Sequence, residues 1–139
     1  MFGADKPGIN WQQMVEEGKT VLVDLRHVHD FEFRRFLFLW TLTYFLEFVK
    51  WRGAGRHKPI SLVIDELSQL SAMDKQTDRQ LFASLIDQLM NVYARQYQVW
   101  VTLAHQEVWQ VSDMLLKTLM GCGVRVIGRT SDAEAAMLL

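Results

Sequence analysis

Four short apolar runs recur along this chain between stretches with helical periodicity. The runs are TVLVDL (20–25), ISLVID (60–65), VWVTLA (99–104) and VRVIG (124–128), and each is rich in aliphatic and β-branched residues. Continuous apolar runs of this length, bounded by polar or turn-forming residues, are typical of strands that are buried on both faces. The pattern therefore predicts four strands.

Helical patterns separate these runs. Asn10 is placed to cap a helix over 11–17 that Gly18 closes, and Asp30 is placed to cap a longer helix that continues to about Trp51. Further helices are predicted over 79–95, over 112–120, and after Ser131, where SDAE has the form of a capping box. The predicted order is αβαβαβαβα, an α/β fold with a mostly parallel sheet of about four strands and helices on both faces.

The most apolar stretch, from Phe36 to Val49, resembles a membrane span because Arg34, Arg35 and Lys50 flank it. It contains only about 14 residues between the charges, whereas a span needs roughly 20. The sequence therefore favours a buried helix.

Composition adds little to this picture. The chain has 139 residues, half of them hydrophobic, which predicts a single domain over 1–139. The formal net charge of −1 does not indicate a general affinity for nucleic acid. The single cysteine, Cys122, forms no internal disulfide, and the first residues do not resemble a signal peptide, so we expect a cytoplasmic protein.

Polar residues collect where the predicted strands end. Asp65 and Glu66 follow one run, Asp24 ends another, and His105 with Gln106 follows a third. Ligands of parallel α/β sheets bind beyond the carboxyl ends of the strands. An apolar run that ends in Asp-Glu also has the form of a Walker B segment, although strand-end carboxylates often only cap a neighbouring loop.

The order of the motifs carries a resemblance to a family. ISLVIDE, YARQYQ, VWVTLAHQ and GVRVIGRTSDAEAAML follow one another, and GKTVLVDLRHVHD precedes them. From about Gly8 to Leu139 this series resembles the second half of the motor core of FtsK/HerA-type DNA-pumping ATPases, which include the coupling proteins of type IV secretion. The resemblance implies an incomplete RecA-like P-loop NTPase core that uses ATP and Mg²⁺.

The resemblance also implies roles for individual residues. Asp65 would orient Mg²⁺ through water, Glu66 would activate the attacking water, and Gln106 would act as the sensor of the γ-phosphate. Arg95 and Arg129 match arginines that act on a nucleotide held by the adjacent subunit, although surface ion pairing accounts for either arginine equally well. The implied partners are DNA, bound without sequence specificity, and identical subunits in a ring.

One element of the family pattern is missing. The sequence contains no G-x-x-x-x-G-K-[ST], and the nearby GAGRHK lacks the spacing and follows a helix. We therefore expect the chain to be inactive alone and to act with an upstream P-loop segment, either as a fragment or as a partner of a separate polypeptide. A sheet without that segment would expose apolar edges and associate. The sequence is also compatible with a membrane-associated partner and with attachment of this chain to the periphery of the inner membrane.

Two alternatives come from other classes of protein. The first is a catalytically silent interaction module that binds a partner through its aromatic-rich helix, with Trp40, Trp51 or Trp109 at an interface. The second is a small metal-dependent hydrolase in which His27 and His29 form a strand-end H-x-H site. The loop WRGAGRHK is interpreted as a solvated loop, with contact to DNA phosphates as the functional alternative.

Overall fold

The computed structural model describes residues 8–55, 57–65, 76–104 and 113–128. In these residues the chain forms helices and a two-stranded parallel sheet, and thus belongs to the α/β class. The elements are α1 (Trp11–Glu16), α2 (Phe31–Arg52), β1 (Ile60–Ile64), α3 (Gln76–Gln88), a π-helical turn (Leu89–Tyr93), α4 (Ala94–Gln96), β2 (Val99–Leu103) and α5 (Asp113–Met120).

The capping residues identified in the sequence begin the first two helices. The Asn10 side chain accepts a hydrogen bond from the backbone N–H of Gln13 at 3.1 Å, and Asp30 accepts one from Phe33 at 2.7 Å. Helix α2 ends where Gly53 takes a φ of +77°, a conformation that favours glycine. Local backbone chemistry therefore sets these ends, and both predicted helices are confirmed.

The sheet joins the second and third predicted strands. Strands β1 and β2 are parallel, with Ile60 opposite Val99 and Ile64 opposite Leu103. Beyond the last pair, the backbone N–H of Ala104 donates to the carbonyl oxygen of Ile64 at 2.9 Å. Both strands therefore end at the same level of the sheet.

The two faces of this sheet differ. Alternate residues of both strands pack against the helices: Ile60, Leu62, Ile64, Val99, Val101 and Leu103. On the opposite face Val63 and Trp100 are 63% and 68% exposed. Parallel sheets are normally covered on both faces, so this sheet is only half covered by the residues described.

One hydrophobic cluster lies between the covered face of the sheet and the helices. Its largest fully buried side chains come from five elements: Val49 of α2, Phe82 and Ile86 of α3, Leu89 of the π-helical turn, Val99 of β2 and Leu115 of α5. A polar link holds two of these helices together, because the Thr118 hydroxyl of α5 donates to the Asp87 carboxylate of α3 at 3.0 Å.

The other two predicted strands do not form. Residues 20–25 and 124–128 have neither helical nor strand structure, and the sheet of about four strands reduces to two in the described part of the chain. Leu22 is 84% exposed and Val126 is 94% exposed. An apolar run becomes a strand only when another strand offers a hydrogen-bonding ladder about 4.8 Å away, and these two runs have no such neighbour among the residues that the structure describes.

The remaining predictions divide between confirmed elements and undescribed residues. The predicted helix over 79–95 corresponds to α3 through α4, and the helix predicted from Ser112 to Met120 corresponds to α5. The C-terminal helix predicted after Ser131 lies outside the described residues. None of the helices described here is both long enough and apolar enough to cross a membrane.

Candidate functional site

The predicted Walker B carboxylates lie where β1 ends. Asp65 directly follows Ile64, the last residue of β1, and it is exposed. Since β2 is parallel to β1 and ends level with it, the chain leaves both strands at one edge of the sheet. A carboxylate at this edge offers oxygen ligands of the kind that Mg²⁺ prefers, with water filling the other positions.

Three of the predicted site residues cannot be located relative to this edge. Glu66, Gln106 and Arg129 lie outside the described residues. Gln106 follows the end of β2 by three positions in the sequence, and Glu66 follows Asp65 directly. The structure therefore shows where the strands that lead to Glu66 and Gln106 end. The roles of Glu66, Gln106 and Arg129 stay predictions.

Arg95 lies at the other end of the sheet. It belongs to α4, which precedes the first residue of β2, whereas Asp65 follows the last residue of β1. A strand of five residues spans about 16 Å, so the Arg95 backbone is separated from the Asp65 edge by the length of the sheet. The structure does not bring Arg95 and Asp65 of one chain together.

A shallow cavity of about 230 Å³ adjoins Arg95. Asn91 of the π-helical turn, Thr118 of α5 and Cys122 of the following turn also line it. Burial raises the pKa of the Cys122 thiol, while the nearby Arg125 acts in the opposite direction. The sequence did not single out these residues. The two glycines that flank Cys122 were the available signal, because glycines let backbone approach closely.

The histidines of the proposed metal site lie in the segment between α1 and α2, and both are exposed. The neighbouring carboxylates, Asp24 and Asp30, already accept hydrogen bonds from other groups. Asp30 caps α2, and Arg26 donates to Asp24 from its guanidinium at 2.7 Å, which with the backbone N–H of Arg26 holds the pKa of Asp24 well below its usual range. Within the described residues, no three His, Cys, Asp or Glu side chains come together as a metal site. The site of His27 and His29 stays a sequence prediction.

The basic loop after α2 is partly tied to the protein. The Arg52 guanidinium donates to the carbonyl oxygen of Lys58, and the Lys58 ammonium donates to the carbonyl oxygen of Glu16 at 3.3 Å. Burial lowers the pKa of Arg52. His57 and Lys58 are still exposed, so the predicted contact of this loop with phosphate stays a prediction.

Comparison of the chain with protein-family models, with curated proteins and with solved structures found no match.

Proposed function

We propose that this chain is the Walker B and sensor half of an ATP-driven DNA translocase, and that it hydrolyses nucleotide only when a P-loop segment completes the site. The observation that carries this proposal is the pairing of β1 with β2. The strand that leads to Asp65 and Glu66 lies directly beside the strand that leads to Gln106, and the two end level with each other. Hydrolysis of a phosphoanhydride needs a metal-orienting acid, a water-activating base and a water-orienting amide within one site.

The incomplete sheet supports the need for a further segment. A parallel sheet is stable when both faces are covered, whereas Val63 and Trp100 of this sheet are exposed. Two apolar runs, 20–25 and 124–128, are exposed as well and have no strand partner in the described structure. A segment that adds a strand and a helix would cover the exposed face of the sheet. It would also offer residues 20–25 and 124–128 a strand with which to form hydrogen bonds. In a P-loop protein that strand and helix flank the phosphate-binding loop.

In this proposal Asp65 holds Mg²⁺ through water, Glu66 draws a proton from the attacking water, and Gln106 orients that water beside the γ-phosphate. ATP and Mg²⁺ bind only to the completed motor. The position of Arg95, away from the Asp65 edge, suits a role toward a nucleotide on a neighbouring subunit, and the same role is proposed for Arg129. The complete motor would move DNA without recognising its base sequence, because contacts to the DNA phosphates are the same for every sequence.

Reconstitution tests this proposal. The chain would be joined or mixed with a P-loop polypeptide encoded upstream or in an adjacent gene, and Mg²⁺-dependent release of phosphate from ATP would be measured. We expect no hydrolysis by the chain alone, hydrolysis by the complex, and a loss of at least about a hundredfold on Glu66→Gln, since general base catalysis contributes about 10²–10⁴. Glu16→Gln, a change of the same chemistry at an exposed position of α1, is the matched control. Hydrolysis that survives Glu66→Gln would refute the assignment.

A silent interaction module is the second candidate, and the exposed aromatic residues of α2 favour it. This function predicts that no P-loop polypeptide restores hydrolysis and that substitutions at Asp65 and Glu66 leave all binding unchanged. The same reconstitution therefore separates the two functions.

A further inference from the structure

Helix α2 has a second apolar face, opposite the face that it buries in the core. The buried face consists of Leu42, Phe45, Leu46 and Val49. At 100° per residue, Phe33, Phe36, Trp40, Tyr44 and Trp51 fall within an arc of about 80° on the other side of the helix. We call these five residues the outer stripe. A helix that is apolar on both sides is typical of a fully buried helix.

The outer stripe is nevertheless exposed. Phe36 is 50% exposed, Trp40 is 43% exposed and Trp51 is 70% exposed. The stripe is also ordered within itself, since Phe33 stacks on Phe36 with ring centroids 6.2 Å apart and Trp40 stacks on Tyr44 at 5.6 Å. It runs from residue 33 to residue 51, about 27 Å along the helix. Within the described part of the chain, this surface is left largely open to solvent.

We infer that the outer stripe binds the outer stripe of a second copy of this chain, with the two α2 helices antiparallel. Antiparallel pairing about a two-fold axis near residue 42 would place Phe33 against Trp51 and Trp40 against Tyr44 of the other copy. The stripe is thus complementary to itself, as a closed symmetric dimer requires. This inference does not depend on the nucleotide chemistry proposed above.

The charges beside the stripe select the antiparallel arrangement. Glu32 and Lys50 are 18 residues apart, which is five helical turns, so they lie on the same edge of the stripe. In an antiparallel pair, Glu32 of each copy faces Lys50 of the other, whereas a parallel pair would place these two side chains at opposite ends of the interface. Both side chains are exposed. Glu32 pairs with Arg35, and Lys50 pairs with Glu47 and also lies 5.5 Å from the centroid of the Tyr93 ring. Exposed ion pairs contribute little, so a shift of the Lys50 ammonium toward Glu32 of the other copy costs little.

The area of the stripe is of the size that an interface needs. An aromatic side chain carries about 150–250 Å², so the exposed parts of the outer stripe present about 400 Å². This is about half of the roughly 800 Å² that one partner buries in a standard interface, and the residues along both edges of the stripe would supply the rest. Aromatic residues at the centre of an interface also carry much of its binding energy.

Glu47 favours a protein over a lipid surface as the occupant. It lies within the arc of the outer stripe, on the side of Lys50, with which it pairs. The rim of a protein interface is hydrated and can keep this pair in water, whereas insertion of the stripe into a membrane would desolvate the carboxylate. The arginines near the stripe are already engaged, because Arg34 donates to the carbonyl oxygen of Val28 at 2.9 Å and Arg35 pairs with Glu32.

Sedimentation velocity of the full chain over a hundredfold range of concentration tests the inference. We expect a monomer–dimer equilibrium whose dissociation constant rises at least about thirtyfold on Trp40→Glu, as loss of a central aromatic residue implies. Trp51→Glu should act in the same direction. Val92→Glu, at an exposed apolar position of the π-helical turn, is the control and should change the constant less than about threefold. Circular dichroism verifies that each variant retains its helices.

A charge swap tests the orientation. Glu32→Lys and Lys50→Glu should each weaken the dimer about two- to fivefold, and the double variant should restore it, because only an antiparallel pair regains opposite charges. A monomer at every concentration would overturn the inference. So would a dimer that Trp40→Glu leaves intact, or a monomer that binds anionic lipid vesicles through Trp40.

Discussion

Two pairs of apolar runs in this protein have the same sequence pattern and different structures. Residues 60–64 and 99–103 form parallel strands with alternating packed and exposed side chains. Residues 20–25 and 124–128 are equally rich in valine, leucine and isoleucine, yet they are exposed and form no strand. The difference lies in their surroundings, since β1 and β2 share a ladder with each other and a hydrophobic cluster with the helices.

The comparison shows that a strand depends on long-range contact more than on its own composition. Intrinsic β preference mostly reflects how a side chain packs on a half-buried sheet, so it has little effect without a sheet to join. In the proposed function, residues 20–25 and 124–128 are strands that await the segment between or beside them. The following experiments test the comparison.

Hydrogen exchange should show the largest contrast. We expect the paired amides of β1 and β2 to exchange about a thousandfold or more slowly than those of residues 20–25 and 124–128, because only the first pair needs cooperative opening. Exchange followed by mass spectrometry or NMR measures this directly. Equal protection of all four runs in the chain alone would contradict the structure, whereas new protection of 20–25 and 124–128 on adding a P-loop polypeptide would support the proposed completion of the sheet.

Truncation of one side chain from each kind of run should give the next largest effect. Ile64→Ala removes a buried residue of β1 and should lower the free energy of unfolding by about 2–4 kcal/mol. Leu22→Ala changes an exposed residue of an unpaired run and should alter it by less than about 0.5 kcal/mol. Urea denaturation followed by circular dichroism measures both. A large loss on Leu22→Ala would show that residues 20–25 are packed in solution.

The smallest effect concerns Asp24, which ends the first unpaired run. Hydrogen bonds from the Arg26 guanidinium and backbone N–H lower the pKa of Asp24. The carboxylate form is therefore favoured in the folded chain, so its contribution to stability is present above the ordinary aspartate pKa of about 3.9 and is lost as the pH falls through the lowered value.

Arg26→Ala should return the pKa of Asp24 toward about 3.9, as NMR titration of the carboxyl group would measure. Arg95→Ala, which removes an arginine that does not contribute to the lowered pKa of Asp24, is the control and should leave the Asp24 titration unchanged. An unchanged titration in the Arg26→Ala variant would show that this ion pair does not form in solution. Global stability at neutral pH should change little, because the pair is exposed.

The edge of the sheet that holds the candidate site could be predicted because the two strands that end there could be predicted. The roles of the side chains at this edge stay predictions. The Asp-Glu pair after 60–64 and the polar residues after 99–103 predicted one functional edge, and the pairing of β1 with β2 agrees with that arrangement. The location of Arg95 at the opposite end of the sheet also follows from the predicted parallel sheet, because a residue that precedes a strand lies at the amino end of that strand. The cavity beside Cys122 was not predicted, because its walls come from separate elements: the π-helical turn, α4, β2, and α5 with the turn that follows it.

Helix α2 separates what short-range chemistry determines from what the assembled molecule determines. Its start at Asp30 and its end at Gly53 follow from a side-chain cap and a glycine conformation, and the sequence predicted the cap at Asp30 and an end near Trp51. That order placed apolar residues on two sides of the helix, and only packing against β1, α3 and the π-helical turn decided which side is buried. Caps and periodicity depend on residues that are close in the sequence, so a short stretch of sequence is enough to predict them. Strand pairing and burial join residues that are distant in the chain, so only the folded structure determined them.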